Sequence, residues 1–525
     1  MWTMSRRPPR MLRWRSSTGF IIATVWTSFF TDYFLYAMIV PVMPTALVDR
    51  AGVAYEDREF WVSILLMCQA AVAFVCCPAF GYMLDAAPTR RMPYLLGLIF
   101  LGASMVLLAL AHTIAMFIVA RMLQGAATAM VAVAGLALLT DSVSTSNLGQ
   151  TIGYLGSAIA LGFLLGPLLG GLVYRVAGYQ AVFAIAFAMV GIDLLMRVAV
   201  VEKAVAERWL QTHSVSCSPS PEDNGYTSSD SLVQQQQQQQ RPAASPTRQR
   251  SPSSSVMSNN DQHKQPAILI ILSQPRILIS SGALLVHGLL YSAFDATIPI
   301  FVESHFGWTT FGAGMAFLPS AITALFQPYF GHLTDTHGPR LIALSSFTSL
   351  TLPLLTLRLV TTAHPAHIAL LLTCLTAIGL LINLCTPALY LKTQHALAAL
   401  EARDPTVFSP TGAVAQAFGI QTMAQFLGLL VGPLWGGFVE WRAGWAAMTG
   451  SLAGLVAGMA VLMFWMGEEG GGGGGDGGDG GDGLSLLGRV GVWGRFRKWI
   501  GYCGVRRVGR TGVDERTALL GGEDS

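Results

Sequence analysis

The chain has 525 residues, of which 52% are apolar and only 12% are charged, about half the ~25% that is usual in soluble domains. Two blocks, residues 17–200 and 267–466, make up most of the chain yet hold only 27 of its 61 Asp, Glu, Lys and Arg residues. This distribution excludes a soluble globule and predicts an integral, multi-pass membrane protein. The sequence has no Walker A loop, no metal-ligand spacing and no soluble domain that could house an enzyme or bind nucleic acid. We therefore expect neither catalysis nor a cofactor.

Each block contains six long apolar runs, spaced as expected for a spanning helix of ~20 residues plus a short connection. The runs are continuously apolar rather than alternating, which favours helices over a β-barrel. We predict an all-α polytopic membrane protein with twelve transmembrane helices in two six-helix pseudo-repeats. In the first half the predicted helices lie at 18–42, 60–83, 93–111, 115–139, 150–172 and 179–200. In the second half they lie at 277–301, 311–333, 341–360, 367–391, 413–438 and 444–466.

Segments outside the two blocks are predicted to lie in the cytosol. Residues 1–16 form a basic N-terminus whose arginines directly precede the first apolar run, which places both termini inside. Residues 201–266 are rich in Ser, Pro and Gln and predict a disordered linker between the halves. Residues 467–525 predict a flexible tail. The arginines of the N-terminal segment, residues 1–16, are Arg6, Arg7, Arg10, Arg13 and Arg15.

The tail ends in a short motif that resembles an acidic dileucine sorting signal, formed by Glu515, Leu519 and Leu520. A sorting adaptor is therefore a possible partner, and the plasma membrane or a vacuolar or endosomal membrane is the expected location.

A glycine pattern is duplicated between the halves at a constant offset. Glycines at such spacings let helices approach closely, and the proline within each copy removes a backbone hydrogen bond. The pattern therefore predicts that the fifth and eleventh helices have equivalent roles in packing and conformational change. The first copy is Gly153, Gly162, Gly166, Pro167, Gly170 and Gly171, and the second is Gly419, Gly428, Gly432, Pro433, Gly436 and Gly437.

The loops after the second and eighth helices form a second duplication. In each, a glycine precedes a carboxylate at a helix end, and arginine follows across a short turn. Such a carboxylate can latch neighbouring helices on the cytosolic side. The residues are Gly81, Asp85 and Arg90 in the first half, with Gly331, Asp335, Gly338 and Arg340 in the second.

These motifs, with the segment from Arg121 through Gln124 to Gly125, resemble the major facilitator superfamily over residues 17–466. The pattern from Gly153 to Gly171 is similar to the antiporter signature of the family's twelve-span drug:proton branch. The segment from Asp32 to Pro44 is similar to the first helix of vesicular amine transporters and their fungal relatives. The resemblance implies two six-helix halves that rock around a central cavity lined by helices 1, 4, 7 and 10.

In that arrangement each cavity-lining helix carries a conspicuous polar residue: Asp32, Arg121 (with Gln124), Asp295 and Asn383. A charge near the bilayer centre costs ~2.5 kcal/mol or more on insertion scales, so a partner or function is expected for each. Carboxylates removed from water hold a proton more readily, and an approaching cation favours proton release. We therefore predict proton/cation exchange in which Asp32 binds a proton or a cationic substrate, Arg121 tunes it, and Asp295 is a second site.

Other interpretations remain open at this point. Asp32 and Arg121 could form a structural ion pair, and Asp193 with Arg197 is predicted to form one. His287 is interpreted as a packed or capping histidine. The expected function is secondary active transport of organic cations or drug-like amphiphiles. Its alternatives are a facilitator or symporter for a sugar, siderophore or organic anion, and a non-transporting sensor on the same fold.

Overall fold

A computed structural model describes residues 12–87, 89–201, 203, 206, 266–308, 310–404, 407–408 and 412–465. The regular elements in these ranges are helices. Eleven of them are long and apolar enough to cross a membrane. The body of the predicted linker, the predicted tail and the motif at Glu515, Leu519 and Leu520 lie outside the described residues.

The helices follow the predicted order, and we name them spans 1 to 12. The first six spans are Thr18–Ile39, Arg58–Ala86, Arg91–Ala109, Ile114–Ser142, Leu148–Ala177 and Tyr179–Ala199. Span 7 is Pro275–Phe306, and spans 9 to 12 are Pro339–Thr356, Pro365–Arg403, Val414–Ala443 and Trp445–Trp465. Short helices cover Leu12–Arg15, Met43–Ala51 and Ala267–Leu272, and single 3₁₀ turns cover Tyr55–Asp57, Thr145–Asn147 and Leu357–Leu359. We call the face at which span 1 begins the near face, and the opposite one the far face.

Span 8 differs from the prediction of one continuous helix at 311–333. It consists of three pieces, Thr310–Met315, Leu318–Ala324 and Gln327–His337. Pro319 and Pro328 each lie in the first turn of the following piece. Proline has no N–H to donate to the preceding turn, but at a helix start that donor would be unpaired anyway. The two prolines therefore explain why the helix restarts twice.

The duplicated glycines pack span 5 against span 1, and span 11 against span 7. A Cβ atom built on Gly166 would lie 2.7 Å from Cβ of Ala37, and one built on Gly432 would lie 2.6 Å from the carbonyl oxygen of Leu289. Gly162 and Gly170 likewise face the backbone of span 1, and Gly428 faces that of span 7. These positions require glycine because the neighbouring helix leaves no space for a side chain.

The last glycine of each copy does not follow this rule. Cβ atoms built on Gly171 and Gly437 meet no atom within 4 Å. Pro167 and Pro433 lie inside their helices, as the sequence predicts. Close packing therefore accounts for the pattern up to Gly170 and Gly436, and nothing in the structure explains the final glycine.

Candidate functional site

A cavity of about 190 Å³ lies between the two halves. Its two walls differ in chemistry. The first half contributes mainly apolar side chains, among them Phe29, Leu136, Ile152, Leu155, Ile159 and Phe163. The second half contributes polar side chains, namely His287, Tyr291, Asp295, Gln327, Asn383, Thr386, Tyr390, Thr422 and Gln425. Such a cavity complements a solute with one apolar face and one polar edge.

Asp295 is the carboxylate of this cavity. It lies on span 7, it is exposed, and the described residues provide it with no hydrogen-bond partner. The described lining residues include no Lys or Arg. An accessible carboxylate without a cationic partner is suited to receive a positive charge from a ligand.

Asn383 on span 10 organises the polar wall. Its Oδ1 accepts hydrogen bonds from the hydroxyl of Tyr291, at 3.2 Å, and from Nε2 of Gln327, at 2.7 Å. Its Nδ2 donates to Oγ1 of Thr323 at 3.2 Å. The side chain of Gln327 in turn occupies the space above Gly156 of span 5, where any Cβ would collide with it. This network thus links spans 7, 8 and 10 and reaches across to the first half.

His287 lies two helical turns before Asp295 on span 7, and its side chain is 6% exposed. Its Nε2 is 3.0 Å from Oγ1 of Thr386, and its ring lies 5.2 Å from that of Tyr291. The histidine is packed, as predicted, and it also lines the cavity.

Asp32 occupies a different place from the one predicted. It is 2% exposed and accepts a hydrogen bond from Oγ1 of Thr128 on span 4, at 3.1 Å, inside the first half. Its neighbour Tyr33 lines the cavity, whereas Asp32 does not appear among the lining residues. Successive residues of a helix point about 100° apart, which explains how adjacent side chains serve different compartments.

Arg121 and Gln124 are also inside the first half and outside the cavity lining. Arg121 donates from Nη1 to Oε1 of Gln69, at 3.1 Å, and to Oε1 of Gln124, at 2.9 Å. Its guanidinium lies 5.8 Å from the ring centre of Tyr36. The structure does not pair Arg121 with Asp32, so the ion-pair interpretation was wrong.

A second buried polar group lies between spans 1 and 6. Ser28, one helical turn before Asp32, donates a hydrogen bond of 2.6 Å to Oδ1 of Asp193. Arg197 is fully buried one turn beyond Asp193, with its guanidinium 4.1 Å from the ring centre of Tyr94. Asp32 and Asp193 therefore belong to one polar region in the core of the first half.

The near face is closed by two latches between the halves. Both oxygens of Asp85 accept backbone hydrogen bonds from the first turn of span 11, from Ala415 at 3.1 Å and from Gln416 at 2.9 Å. The unpaired N–H groups of a helix start attract a carboxylate. Arg90 bridges Asp85, at 3.4 Å, and Asp141. Asp85 therefore joins the end of span 2 to the start of span 11 and to Arg90.

The second latch mirrors the first. Asp335 accepts backbone hydrogen bonds from Gly149 and Gln150 at the start of span 5, both at 2.8 Å. Gly338 then turns the chain with φ of +86°, a conformation that favours glycine, and Arg340 lies in the first turn of span 9.

Glycines allow the helices to meet beside these latches. A Cβ on Gly81 would lie 2.7 Å from the carbonyl oxygen of Ala415, and one on Gly331 would lie 2.7 Å from Cα of Gln150. Gly153 faces the backbone of Gln327 and Pro328, and Gly419 faces the carbonyl of Cys77. The first glycine of each duplicated pattern thus packs between the halves, whereas the later ones pack within a half.

Sequence reasoning missed Gln69 and Gln327, which are buried amides that hold Arg121 and Asn383. The available signal was their position in apolar helices, where a polar side chain needs a partner.

Among the described residues there is no cluster of His, Cys, Asp or Glu that could hold a metal ion.

In the described part of the chain, eleven helices long and apolar enough to cross a membrane, together with the divided span 8, form two related halves around a central cavity. This arrangement is typical of a transporter that works between two membrane faces. Residues 25–402 match the Major Facilitator Superfamily, and the chain belongs to this family. The predicted fold and family are confirmed, and the protein is a multi-pass membrane transporter of small molecules rather than an enzyme.

Similar proteins cover most of the chain. An uncharacterized MFS-type transporter, C18.02, of Schizosaccharomyces pombe is 31% identical over 81% of this chain and 90% of its own length. The MFS-type transporter ppzB of Metarhizium rileyi is 28% identical over 87% of this chain and 96% of its own length. Among solved structures, the human organic anion transporter MFSD10 (TETRAN) superposes with a TM-score of 0.59 at 16% identity, over 87% of this chain and 100% of its own. The last likeness concerns the fold alone.

Proposed function

We propose that this transporter is a proton-coupled antiporter that exports or sequesters organic cations or drug-like amphiphiles by alternating access. The observation that carries the proposal is the two-sided cavity, with an apolar wall from the first half and an exposed, unpartnered Asp295 on the polar wall. An amphiphilic cation can bury its apolar face on one wall and place its charge on the other.

The charge of the cavity favours cations over anions. Asp295 is ionisable, and the described lining residues offer no Lys or Arg to hold an anion. Arg121 is buried within the first half and its hydrogen bonds go to two glutamine side chains. We therefore place an organic anion, the substrate class in the name of the human structural neighbour, second.

Asp32 is assigned to the proton rather than to the substrate. It is buried in the core of the first half, where the described residues provide it with one hydrogen bond, from Thr128. Ser28, one turn earlier on span 1, bonds Asp193. An ionised carboxylate without a cationic partner is costly away from water, and a bound proton removes that cost. Since Tyr33 lines the cavity, movement of span 1 can couple the protonation of Asp32 to cavity occupancy.

The near face is assigned to the cytosol because the arginine-rich N-terminus precedes span 1 there. The two latches then make this a state closed to the cytosol, in which the cytosolic ends of spans 2 and 11 and of spans 5 and 8 are joined. Transport requires release of both latches so that the cavity opens to the cytosol.

The test uses purified protein in liposomes with an imposed pH gradient and a panel of fluorescent organic cations. We expect wild type to accumulate cations against their own concentration gradient, in exchange for protons that move down the pH gradient. Asp295→Asn should weaken cation binding by about tenfold or more, since a hydrogen bond to a charged group contributes ~1.5–3 kcal/mol. Asp32→Asn should still exchange cations when their concentrations on the two sides of the membrane are equal. It should lose the accumulation that the pH gradient drives.

The matched control is Asp49→Asn, which removes an exposed carboxylate outside the cavity and should behave as wild type. Accumulation by Asp32→Asn equal to that of wild type would exclude Asp32 as the proton carrier. Uptake in the direction of proton flow would favour the symporter alternative. Absence of flux for cations and for anions would favour the sensor.

A further inference from the structure

His287 carries a buried polar atom at the cavity that the described residues leave without a hydrogen-bond partner. The side chain is more than nine-tenths buried and lines the cavity, yet its Nδ1 has no hydrogen-bond partner among the described residues. A buried polar atom that stays unpaired costs ~1–3 kcal/mol, so such an atom in a binding cavity points to a ligand group.

The bonds around Thr386 determine what kind of group that is. The Thr386 hydroxyl lies 3.0 Å from the carbonyl oxygen of Ile382 and 3.0 Å from Nε2 of His287. The hydroxyl has one proton, and the carbonyl can only accept. Both bonds form only when Thr386 donates to Ile382 and Nε2–H of His287 donates to Thr386. In the neutral imidazole Nδ1 is then an acceptor, and it requires a donor.

The position of His287 on span 7 determines how far it lies from Asp295 along the helix. His287, Tyr291 and Asp295 follow one another at intervals of four residues, so all three lie on one face of the helix and line the cavity. Eight residues at a rise of 1.5 Å place His287 and Asp295 about 12 Å apart along the axis. The ring of Tyr291 lies between them.

From this arrangement we propose that the substrate is recognised at two points: a cationic group at Asp295, and a hydroxyl or N–H donor that bonds Nδ1 of His287. The substrate class is an elongated amine with a second donor at its far end, since the two residues that would bind these groups are about 12 Å apart along the axis of span 7. This inference rests on the proposed cation transport and specifies its substrate.

The experiment compares two probes that differ only in the donor: a phenol with a five-carbon aminoalkyl chain in the para position, and its methyl ether. Their apparent affinities are measured by competition in proteoliposomes, for wild type, His287→Phe and His287→Asn. We expect wild type to prefer the phenol by about fivefold, the value of one net hydrogen bond.

The two variants separate Nδ1 from the rest of the ring. Both lose the Nε2 bond to Thr386, but asparagine keeps an acceptor oxygen near the position of Nδ1. His287→Phe should bind both probes equally, and His287→Asn should retain part of the preference for the phenol.

Several results would overturn the inference alone. These are equal affinities in wild type, an unchanged preference in His287→Phe, or an equal loss in both variants, which would assign the preference to the Thr386 bond. In these cases cation transport itself would stand. If wild type moves neither probe nor any other organic cation, the proposed function fails and the inference fails with it.

Discussion

A close approach between the halves at the near face, at Gly81, can be tested with one added methyl group. In Gly81→Ala, the new Cβ would lie 2.7 Å from the carbonyl oxygen of Ala415 and 3.0 Å from Cα of Gln416. Ordinary contacts of this kind begin at 3.4 Å. Because both obstacles are backbone atoms, span 11 must move away from span 2 by about 0.7 Å, and rotamer changes cannot relieve the contact.

This shift also weakens the first latch. The N–H groups of Ala415 and Gln416 lie 3.1 and 2.9 Å from the carboxylate of Asp85. An added 0.7 Å takes both beyond about 3.5 Å, where a hydrogen bond is largely lost. Overpacking costs typically ~1–3 kcal/mol, and it is felt only while the near face is closed. We expect the closed state to lose about 2 kcal/mol, which is a roughly thirtyfold change in its population relative to the open state.

The assay is electron–electron double resonance between spin labels on either side of the near face. Exposed positions for the labels are Ser146 on the first half and Thr336 on the second, in a background without native cysteines. Gly81→Ala should shift the distances toward longer values. The control is Gly171→Ala, where the added methyl group meets no atom within 4 Å. If both variants give the same distance distribution, the near-face packing does not set the conformational equilibrium.

Three further predictions concern other contacts. Gly156→Ala should displace Gln327 and break its bond to Asn383, which we expect to lower cation affinity by about fivefold in competition binding; unchanged affinity would argue against the network as part of the site. Asp335→Asn should open the near face as Gly81→Ala does, because a neutral amide holds the start of span 5 more weakly; labels that stay close would assign closure to the first latch alone. Ser28→Ala should destabilise the protein by about 1–3 kcal/mol, because it leaves a buried oxygen of Asp193 without its donor, and an unchanged melting temperature in detergent would contradict this.

Hydropathy was sufficient to predict eleven of the twelve helices, because a spanning helix must be apolar along its whole length. Span 8 is the exception. Its composition is that of a spanning helix, but Pro319 and Pro328 interrupt the backbone hydrogen bonds. The prolines were visible in the sequence, yet Pro167 and Pro433 lie inside continuous helices. Whether a proline bends or divides a helix depends on its neighbours, and a hydropathy window does not include them.

Sequence reasoning predicted which helices carry the polar residues of the candidate site, but not which face of each helix points into the cavity. Asp295 and Asn383 line the cavity as expected, whereas Asp32, Arg121 and Gln124 turn into the first half. Hydrophobic periodicity could not assign these faces, because both the core of a half and the wall of the cavity lie inside the protein and both accept apolar residues. Only packing against neighbouring helices separates the two.

The two halves are alike in their packing at the near face and different in the polar residues that they contribute to the protein interior. Gly153 and Gly419 occupy equivalent positions between the halves, so the motions that open the near face are expected to be nearly symmetric. The chemistry is not symmetric, since Asp32 lies in the core of one half and Asp295 on the wall contributed by the other. The proposed coupling of a proton at Asp32 to a cation at Asp295 requires a mechanical link between the two positions. The rings of Tyr33 and Phe163 pack with their centres 5.5 Å apart and connect span 1 to span 5 at the cavity. We expect a bound cation that displaces the Tyr33 ring to move span 1, which also carries Asp32, and so to oppose the binding of a proton there.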